Sequence, residues 1–388
     1  MQRGFILSEN GKILYGFGKG LSKDEIVIPE GVTHIEFNGI PECRLRYVNK
    51  LVFPKSLSAI YNSPFRDSEV KEIVFLGEES VAIGPYAFSG CSDLKKVTLP
   101  KKQKWLKDFV FSNCHSLEEV VNSDNIISIG KYTFNNCYEL KGFNWRGVDN
   151  IGDGAFRGCK SLSLISFDLS SVTEIKPYTF AECNPDSDIR LPSTLKVIEP
   201  YAFAGCCLNI IRTTIDGHRG YCISNIPSEL VIKSYAFAGA RIKYMYFPSY
   251  GKIYVENYAF DACNDLEEVH LTQSVYCEEY AFSNIYSLMK VKWYLGCHNK
   301  AVEYLKLKNS YIVSEFSRDV IQDKPYKALE KTAKREELEY RVYDHYRRSG
   351  ASYWVSNKKL KRYTDYFVSK VKENIGKSFN VISGKIKR

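Results

Sequence analysis

Twelve cysteines are the first residues whose chemistry has to be accounted for. In a small secreted chain they would form a disulfide framework, and as Cys-x-x-Cys pairs they would hold zinc. Neither pattern fits. Seven of them (Cys91, Cys114, Cys137, Cys159, Cys183, Cys206 and Cys263) each follow a phenylalanine by three residues, and from Cys91 to Cys206 they recur every 22 to 24 residues. No Cys-x-x-Cys pair occurs, and the six histidines (34, 115, 218, 270, 298 and 345) are scattered. At the same offset Phe65, Phe237 and Phe282 have Ser68, Ala240 and Ile285 in place of cysteine. A site that accepts such residues is small and buried, and a free cysteine there is a small hydrophobe with a weak S–H donor for loop carbonyls. The expectation is a ladder of reduced, buried thiols, with no metal.

The motifs of catalysis are equally sparse. Gly16-Phe17-Gly18-Lys19-Gly20 is glycine-rich but lacks the strand-then-helix setting of a phosphate cradle. Gly376-Lys377-Ser378 resembles the end of a P-loop, yet the first glycine that motif requires falls on Val371. No Gly-x-Ser-x-Gly elbow and no His-Glu-x-x-His pair is found. No enzyme and no cofactor are expected.

Charge is concentrated at one end. Residues 316–388 carry 19 Lys/Arg against 9 Asp/Glu, whereas the whole chain is only +9, so residues 1–315 are close to neutral. Apolar residues near helical spacing (Leu329, Ala333, Leu338, Val342, then Leu360, Tyr363, Phe367, Val371) predict two amphipathic helices in this basic tail. Arg347, Arg348, Lys358, Lys359, Lys361 and Arg362 lie among Tyr346, Tyr353, Trp354 and Tyr363 and are candidates for binding an anion or nucleic acid. A cap with a solvated basic face is the favoured reading.

The elements that position these residues form a repeat. From Phe65 to Phe282 successive phenylalanines are separated by 23, 23, 23, 22, 24, 23, 34, 23 and 22 residues. After each Cys site comes a leucine and an alternating segment, as in Leu94-Lys95-Lys96-Val97-Thr98-Leu99 and Leu266-Glu267-Glu268-Val269-His270-Leu271, whose period of two marks a strand with one buried face. A second apolar patch, such as Val172…Ile175 or Leu195…Ile198, precedes the next phenylalanine. A unit this short cannot bury its apolar side alone, so units must stack into a solenoid. Asn10-Gly11, between Phe5-Ile6-Leu7 and Ile13-Leu14-Tyr15, predicts a two-residue hairpin turn capping the open end.

This pattern, approximately I-x-x-x-A-F-x-x-C-x-x-L-x-x-I-x-L-P over residues 20–295, resembles the BspA-type leucine-rich repeats. The resemblance implies a right-handed leucine-rich-repeat solenoid of short parallel strands and coil, of the α/β leucine-rich-repeat type, with about eleven to twelve strands. The expected organisation is an N-terminal β-hairpin cap (1–20), a solenoid (21–315) and a C-terminal α-helical tail (316–388). The interval of 34 residues marks an insertion near 212–230, where Asp216, His218, Arg219 and Tyr221 are candidate loop residues.

The expected function is non-enzymatic recognition of a protein partner by a solvent-facing column of strand residues. That column reads Glu72, Val74, Lys96, Thr98, Glu119, Val121, Gly142 and Asn144 in its first half. In the second half Tyr244, Tyr246, Glu268, His270, Lys290 and Lys292 are richer in interface-type residues and are the candidate partner contacts. Nucleic-acid binding through the tail is the alternative. The resemblance also implies, if a secretion signal has been removed, a cell-surface or secreted adhesin, as many BspA-like proteins look to be. With only Phe5-Ile6-Leu7 apolar near the start, neither a signal peptide nor a membrane span is expected, and a cytoplasmic location is favoured.

Overall fold

A computed structural model describes residues 4–37, 45–162, 171–184, 191, 194–208, 221–222, 229–247, 251–271, 274–288, 290–294, 300–301 and 313–316. The expected helical tail at 316–388, with its six basic candidates, lies outside them except for residue 316. The chain divides into two compact units, Met1–Lys292 with His298–Ser314, and Trp293–Cys297 with Glu315–Arg388. The stacked repeats make up the first unit.

A coil contributes up to two strands rather than one, so two parallel ladders run along the solenoid. The first ladder is built from the apolar patch that precedes each phenylalanine. Ile13–Phe17, His34–Glu36, Ala59–Tyr61 and Ala82–Ile83 form one sheet, Trp105–Leu106, Ser128–Ile129 and Asn150–Ile151 a second, and Glu174–Ile175, Val197–Ile198, Leu230–Ile232, Ile253–Val255 and Val275–Cys277 a third. The second ladder follows each leucine: Glu25–Val27, Val48–Phe53, Val70–Phe75, Lys96–Thr98 and Glu119–Val121 pair in that order. It resumes with Tyr221–Cys222, Tyr244–Tyr246, Glu268–Leu271 and Lys290–Tyr294. The expectation of eleven to twelve strands therefore counted one ladder only. First-ladder strands are often two residues long, too short to display an alternating period.

Three further expectations are corrected. The hairpin of Phe5–Leu7 with Ile13–Phe17 is antiparallel as expected, but Glu9 to Lys12 form a four-residue loop in which the Gly11 N–H donates to Ser8 O and Asn10 Oδ1 accepts from Lys12 N–H. Asn10 thus serves as a side-chain acceptor rather than as the first residue of a two-residue turn. The hairpin extends only the first ladder, leaving Glu25–Val27 as the edge of the second. Gly142 to Trp145, read as a strand, run past Glu119–Val121 as coil.

The third side of each coil is a run of tight turns. Along Tyr86-Ala87-Phe88-Ser89-Gly90-Cys91, the N–H groups of Tyr86, Phe88 and Gly90 donate to the next coil, at Asp108 O, Val110 O and Ser112 O. Those of Ala87, Ser89 and Cys91 donate within the coil. All six backbone donors are thereby satisfied without regular structure. The phenylalanines stack through the core from Phe65 to Phe282, with ring centroids 5.0–5.9 Å apart. Each such buried ring contributes roughly 1.5–3 kcal/mol.

Two positions before seven of these ten phenylalanines an aromatic residue sits in the left-handed region: Tyr86, Phe109, Tyr132, Tyr178, Tyr201, Tyr235 and Tyr258, with φ between 51° and 63°. That conformation costs an L-residue roughly 1–2 kcal/mol. Ring stacking offsets it, at 4.5 Å for Tyr86 on Phe109 and 5.0–5.7 Å from Tyr178 through Tyr201, Tyr235 and Tyr258 to Tyr280.

The insertion does not disturb the stack. Phe203 and Phe237 remain 5.1 Å apart at 9°, and Val197 pairs directly with Val231.

Candidate protein-recognition surfaces

The thiol ladder faces inward. Cys91, Cys114, Cys137, Cys159, Cys183, Cys206 and Cys263 are fully buried, and each Sγ donates to a phenylalanine carbonyl of the preceding coil at 2.7–3.2 Å. The Phe88 carbonyl, for example, accepts Cys91 N–H from its own coil and the Cys114 thiol from the next. Burial pushes the thiols of Cys114, Cys137, Cys159, Cys183, Cys206 and Cys263 above the ordinary range, Cys183 up to about 12. A nucleophile must be a thiolate at working pH, so these sulfurs are structural. The nine cysteines whose side chains are described are free, and Cys207 is the half-buried one among them.

The outward face of the second ladder falls into two halves. In the first, one column reads Glu25, Lys50, Glu72, Lys96, Glu119 in direct register. Neighbouring charges are opposite throughout, with Glu25–Lys50 at 3.3 Å and Lys96–Glu119 at 2.9 Å. The hydrogen bond to Glu119 holds Lys96 above the ordinary lysine value. A parallel column is Val27, Val52, Val74, Thr98, Val121. The charges cancel within the chain and leave little for a partner to neutralise.

This half ends in an open cleft of about 560 Å³, lined by Lys95, Lys96, Glu118, Glu119, Phe143 and Asn144 among others. It opens because coil 141–145 is tied to its neighbour only at its ends. Lys141 N–H donates to Glu118 O at 3.2 Å, Asn144 N–H to Ser123 Oγ at 3.4 Å, and Asn144 Nδ2 to Asp124. The bordering charges are again mutually paired, as in Lys141–Glu118 at 2.5 Å.

In the second half Tyr244 lies in register with Glu268 and Tyr246 with His270, alternating with the buried Met245 and Val269. Lys290 and Lys292 occupy the next strand of this sheet. The structure thus brings the six strand candidates onto three adjacent strands. Tyr221, expected in a loop, is instead on a strand of the same ladder, in register with Met245. The coil takes its ladder position from within the inserted sequence, which no spacing rule reveals. Asp216, His218 and Arg219 lie outside the described residues.

Sequence reasoning missed a second exposed feature, on the first ladder. Trp105 is 53% exposed and Tyr61 44% exposed there. The available signal was a tryptophan at a ladder position where the paired strands carry Ser128 and Asn150. Behind Trp105 the fully buried Gln103 bridges two coils. Its Oε1 accepts Val81 N–H at 2.9 Å, and its Nε2 donates to Val81 O at 3.0 Å and Trp105 O at 2.8 Å.

Six copies of the BspA type leucine rich repeat region match this sequence, over residues 15–141, 104–225 and 220–316. The chain belongs to the BspA-type leucine-rich repeat family. Among solved structures, this BspA-type chain is similar to a leucine-rich repeat protein from Bacteroides ovatus, at 22% identity and TM-score 0.51, covering 74% of this chain and 69% of that one. That likeness shows a common solenoid fold. Similarity extends to a leucine rich cell surface protein from Faecalibacterium prausnitzii (20% identity, TM-score 0.41, covering 80% and 95%). It extends also to the pneumococcal vaccine antigen PcpA (16% identity, TM-score 0.44, covering 81% and 98%). No curated protein matches. Among the described residues, no helix is long and apolar enough to cross a membrane, and no cluster of His, Cys, Asp and Glu could hold a metal ion.

Proposed function

We propose that this BspA-type chain is a non-enzymatic protein-recognition module whose partner contacts Tyr244, Tyr246, Glu268, His270, Lys290 and Lys292. The observation that carries this reading is the register Tyr244–Glu268 and Tyr246–His270 on a parallel ladder, which sets aromatic and ionisable residues side by side. In the first half of the same ladder, by contrast, opposite charges face one another in every successive pair. Tyrosine supplies large contact area at low side-chain entropy cost and is enriched at binding hot spots. The compartment proposed is the cytoplasm, where thiols stay reduced, in keeping with the nine cysteines that are described with free side chains.

The test is affinity capture with the full chain to identify the partner, followed by titration of variants. Joint replacement of Tyr244, Tyr246 and His270 by alanine leaves the melting curve nearly intact and weakens binding by more than about 2 kcal/mol. An equal loss from alanine at Thr98 and Asn144, or no loss from the triple variant, places the surface elsewhere.

A further inference from the structure

We infer that Asn10-Gly11, at the tip of the capping hairpin, is a self-modification site: the hairpin's own hydrogen bonds hold back its deamidation, and the isoaspartate it yields loosens the cap. Only here and at Asn38-Gly39 does a glycine follow an asparagine in this chain. Lacking a Cβ, glycine presents the least hindered backbone nitrogen to the preceding side-chain amide. Asn38-Gly39 lies outside the described residues. A Cβ added at Gly11 would meet nothing within 4 Å, and Asn10 is exposed, so water has free access to the pair.

The reaction needs only water. The Gly11 nitrogen gives up its proton to solvent base and bonds to Asn10 Cγ, while the Cγ–Nδ2 bond breaks and Nδ2 leaves, taking a proton, as ammonia. Water then opens the resulting imide at either carbonyl. Cleaving the new Cγ–N bond leaves aspartate. Cleaving the original peptide bond leaves isoaspartate, whose main chain runs through Cβ and Cγ and is one atom longer. In the native loop the reacting groups are engaged elsewhere. The Gly11 N–H, which must be deprotonated, donates to Ser8 O at 2.9 Å. Asn10 Oδ1 accepts from Ser8 Oγ at 2.8 Å and from Lys12 N–H at 3.1 Å, which fixes the side-chain carbonyl. Ser8 Oγ is itself positioned by Ile13 N–H at 2.9 Å. Closing the imide ring breaks the Gly11 bond and displaces Oδ1, so it proceeds from the opened hairpin. Bonds of this kind slow the reaction about fivefold each.

The two products differ in what they do to the cap. Aspartate at position 10 keeps an oxygen for Ser8 Oγ and for Lys12 N–H, so the loop is retained. Isoaspartate lengthens the main chain inside the loop that sets Phe5 against Phe17 and Leu7 against Leu14, and it removes the side-chain carbonyl that accepts from Lys12. With Phe5–Leu7 released, Ile13–Phe17, which carries the fully buried Leu14, becomes the edge of the first ladder. An unpaired edge is a template for another strand.

The experiment ages the full chain at mildly alkaline pH, native and in urea, and follows amide loss at Asn10 by digestion and mass spectrometry and isoaspartate by enzymatic methylation. In urea Asn10 and Asn38 should react at similar rates, and in the native chain Asn10 should react about tenfold or more slowly than in urea. Ser8→Ala, which removes the hydroxyl held between Asn10 and Ile13, should raise the native rate about threefold or more, whereas Ser8→Thr keeps it low. If Ser8→Ala melts early, the unaltered chain supplies the second measure: denaturant that speeds amide exchange at Gly11 and Lys12 should speed deamidation in proportion. The isoaspartyl chain, separated by ion exchange, should exchange its amides over residues 5–17 faster than Asn10→Asp, which stays close to the unaltered chain. A native rate equal to the rate in urea, or deamidation indifferent to both Ser8→Ala and hairpin opening, overturns the gating. Equal exchange in the isoaspartyl and Asn10→Asp chains overturns the loosening of the cap.

Discussion

Gln103→Leu tests whether a single side chain replaces a stretch of ladder. Leucine preserves most of the volume but removes the amide. The Val81 N–H loses Oε1 at 2.9 Å, and the Trp105 carbonyl loses Nε2 at 2.8 Å. The Val81 carbonyl keeps a donor in Ile83 N–H at 3.0 Å and is not orphaned. Two backbone groups are therefore stranded, each costing about 1–3 kcal/mol, so the variant should lose about 2–6 kcal/mol. Equilibrium urea unfolding measures that loss. Amide exchange localises it, because about 3 kcal/mol corresponds to roughly a hundredfold faster exchange at Val81. Gln103→Glu should be worse at neutral pH, where a carboxylate faces the two carbonyls with no proton to donate. Burial raises the pKa of that carboxyl in the folded state, so the folded chain binds the extra proton more tightly and stability should recover on acidification. A loss below about 1 kcal/mol with unchanged Val81 exchange would refute the reasoning.

In native protein at pH 8 a thiol reagent should modify Cys207 and leave the ladder cysteines untouched, while denaturation without reductant should expose all twelve as thiols. Phe134, stacked 5.6 Å from Phe111 and 5.3 Å from Phe156, should cost about 3–5 kcal/mol as alanine in urea unfolding. Lys96→Glu places like charges beside Glu72 and Glu119 and should lower the melting temperature, by less as salt shortens the screening length. Gly154→Ala and Gly239→Ala both force alanine to positive φ, but only the former brings a Cβ within 2.2 Å of a ring, that of Tyr132, so its melting temperature should fall further.

Much of this fold was legible because the repeat is written in residue types that have few alternatives in place. The phenylalanine interval fixes the coil, and the cysteine three residues later fixes a small, buried donor position that the structure fills with thiol-to-carbonyl bonds. The strand after Leu94 shows its period of two over enough residues to be recognised. The first ladder was hidden because Ala82–Ile83 and Asn150–Ile151 are too short to alternate. The left-handed tyrosines were hidden for another reason: nothing in a tyrosine's local preference selects positive φ, and only the neighbouring coil's ring and carbonyl make that conformation worth adopting. Their recurrence two residues before most of the stacked phenylalanines was nonetheless present in the sequence.

What the repeat could not reveal are its exceptions, and these carry the distinctive chemistry. A stacked coil satisfies its backbone through its neighbours, so a position that keeps to the pattern is already spoken for by packing. Where Gly154 replaces the usual aromatic, the Tyr132 ring occupies the space. Where coil 141–145 leaves the second ladder, side chains of Ser123 and Asp124 take up the hydrogen bonds and a cleft opens. Where the first ladder breaks after Ile83, a buried glutamine spans the gap and a tryptophan is left standing in solvent. Burying an amide is costly unless every bond it can make is supplied, and Gln103 has them supplied from both coils. A leucine there would need no such arrangement if the two coils simply continued the ladder. The glutamine therefore goes with the break, and the break with the exposed Trp105, so the three are best understood as one feature.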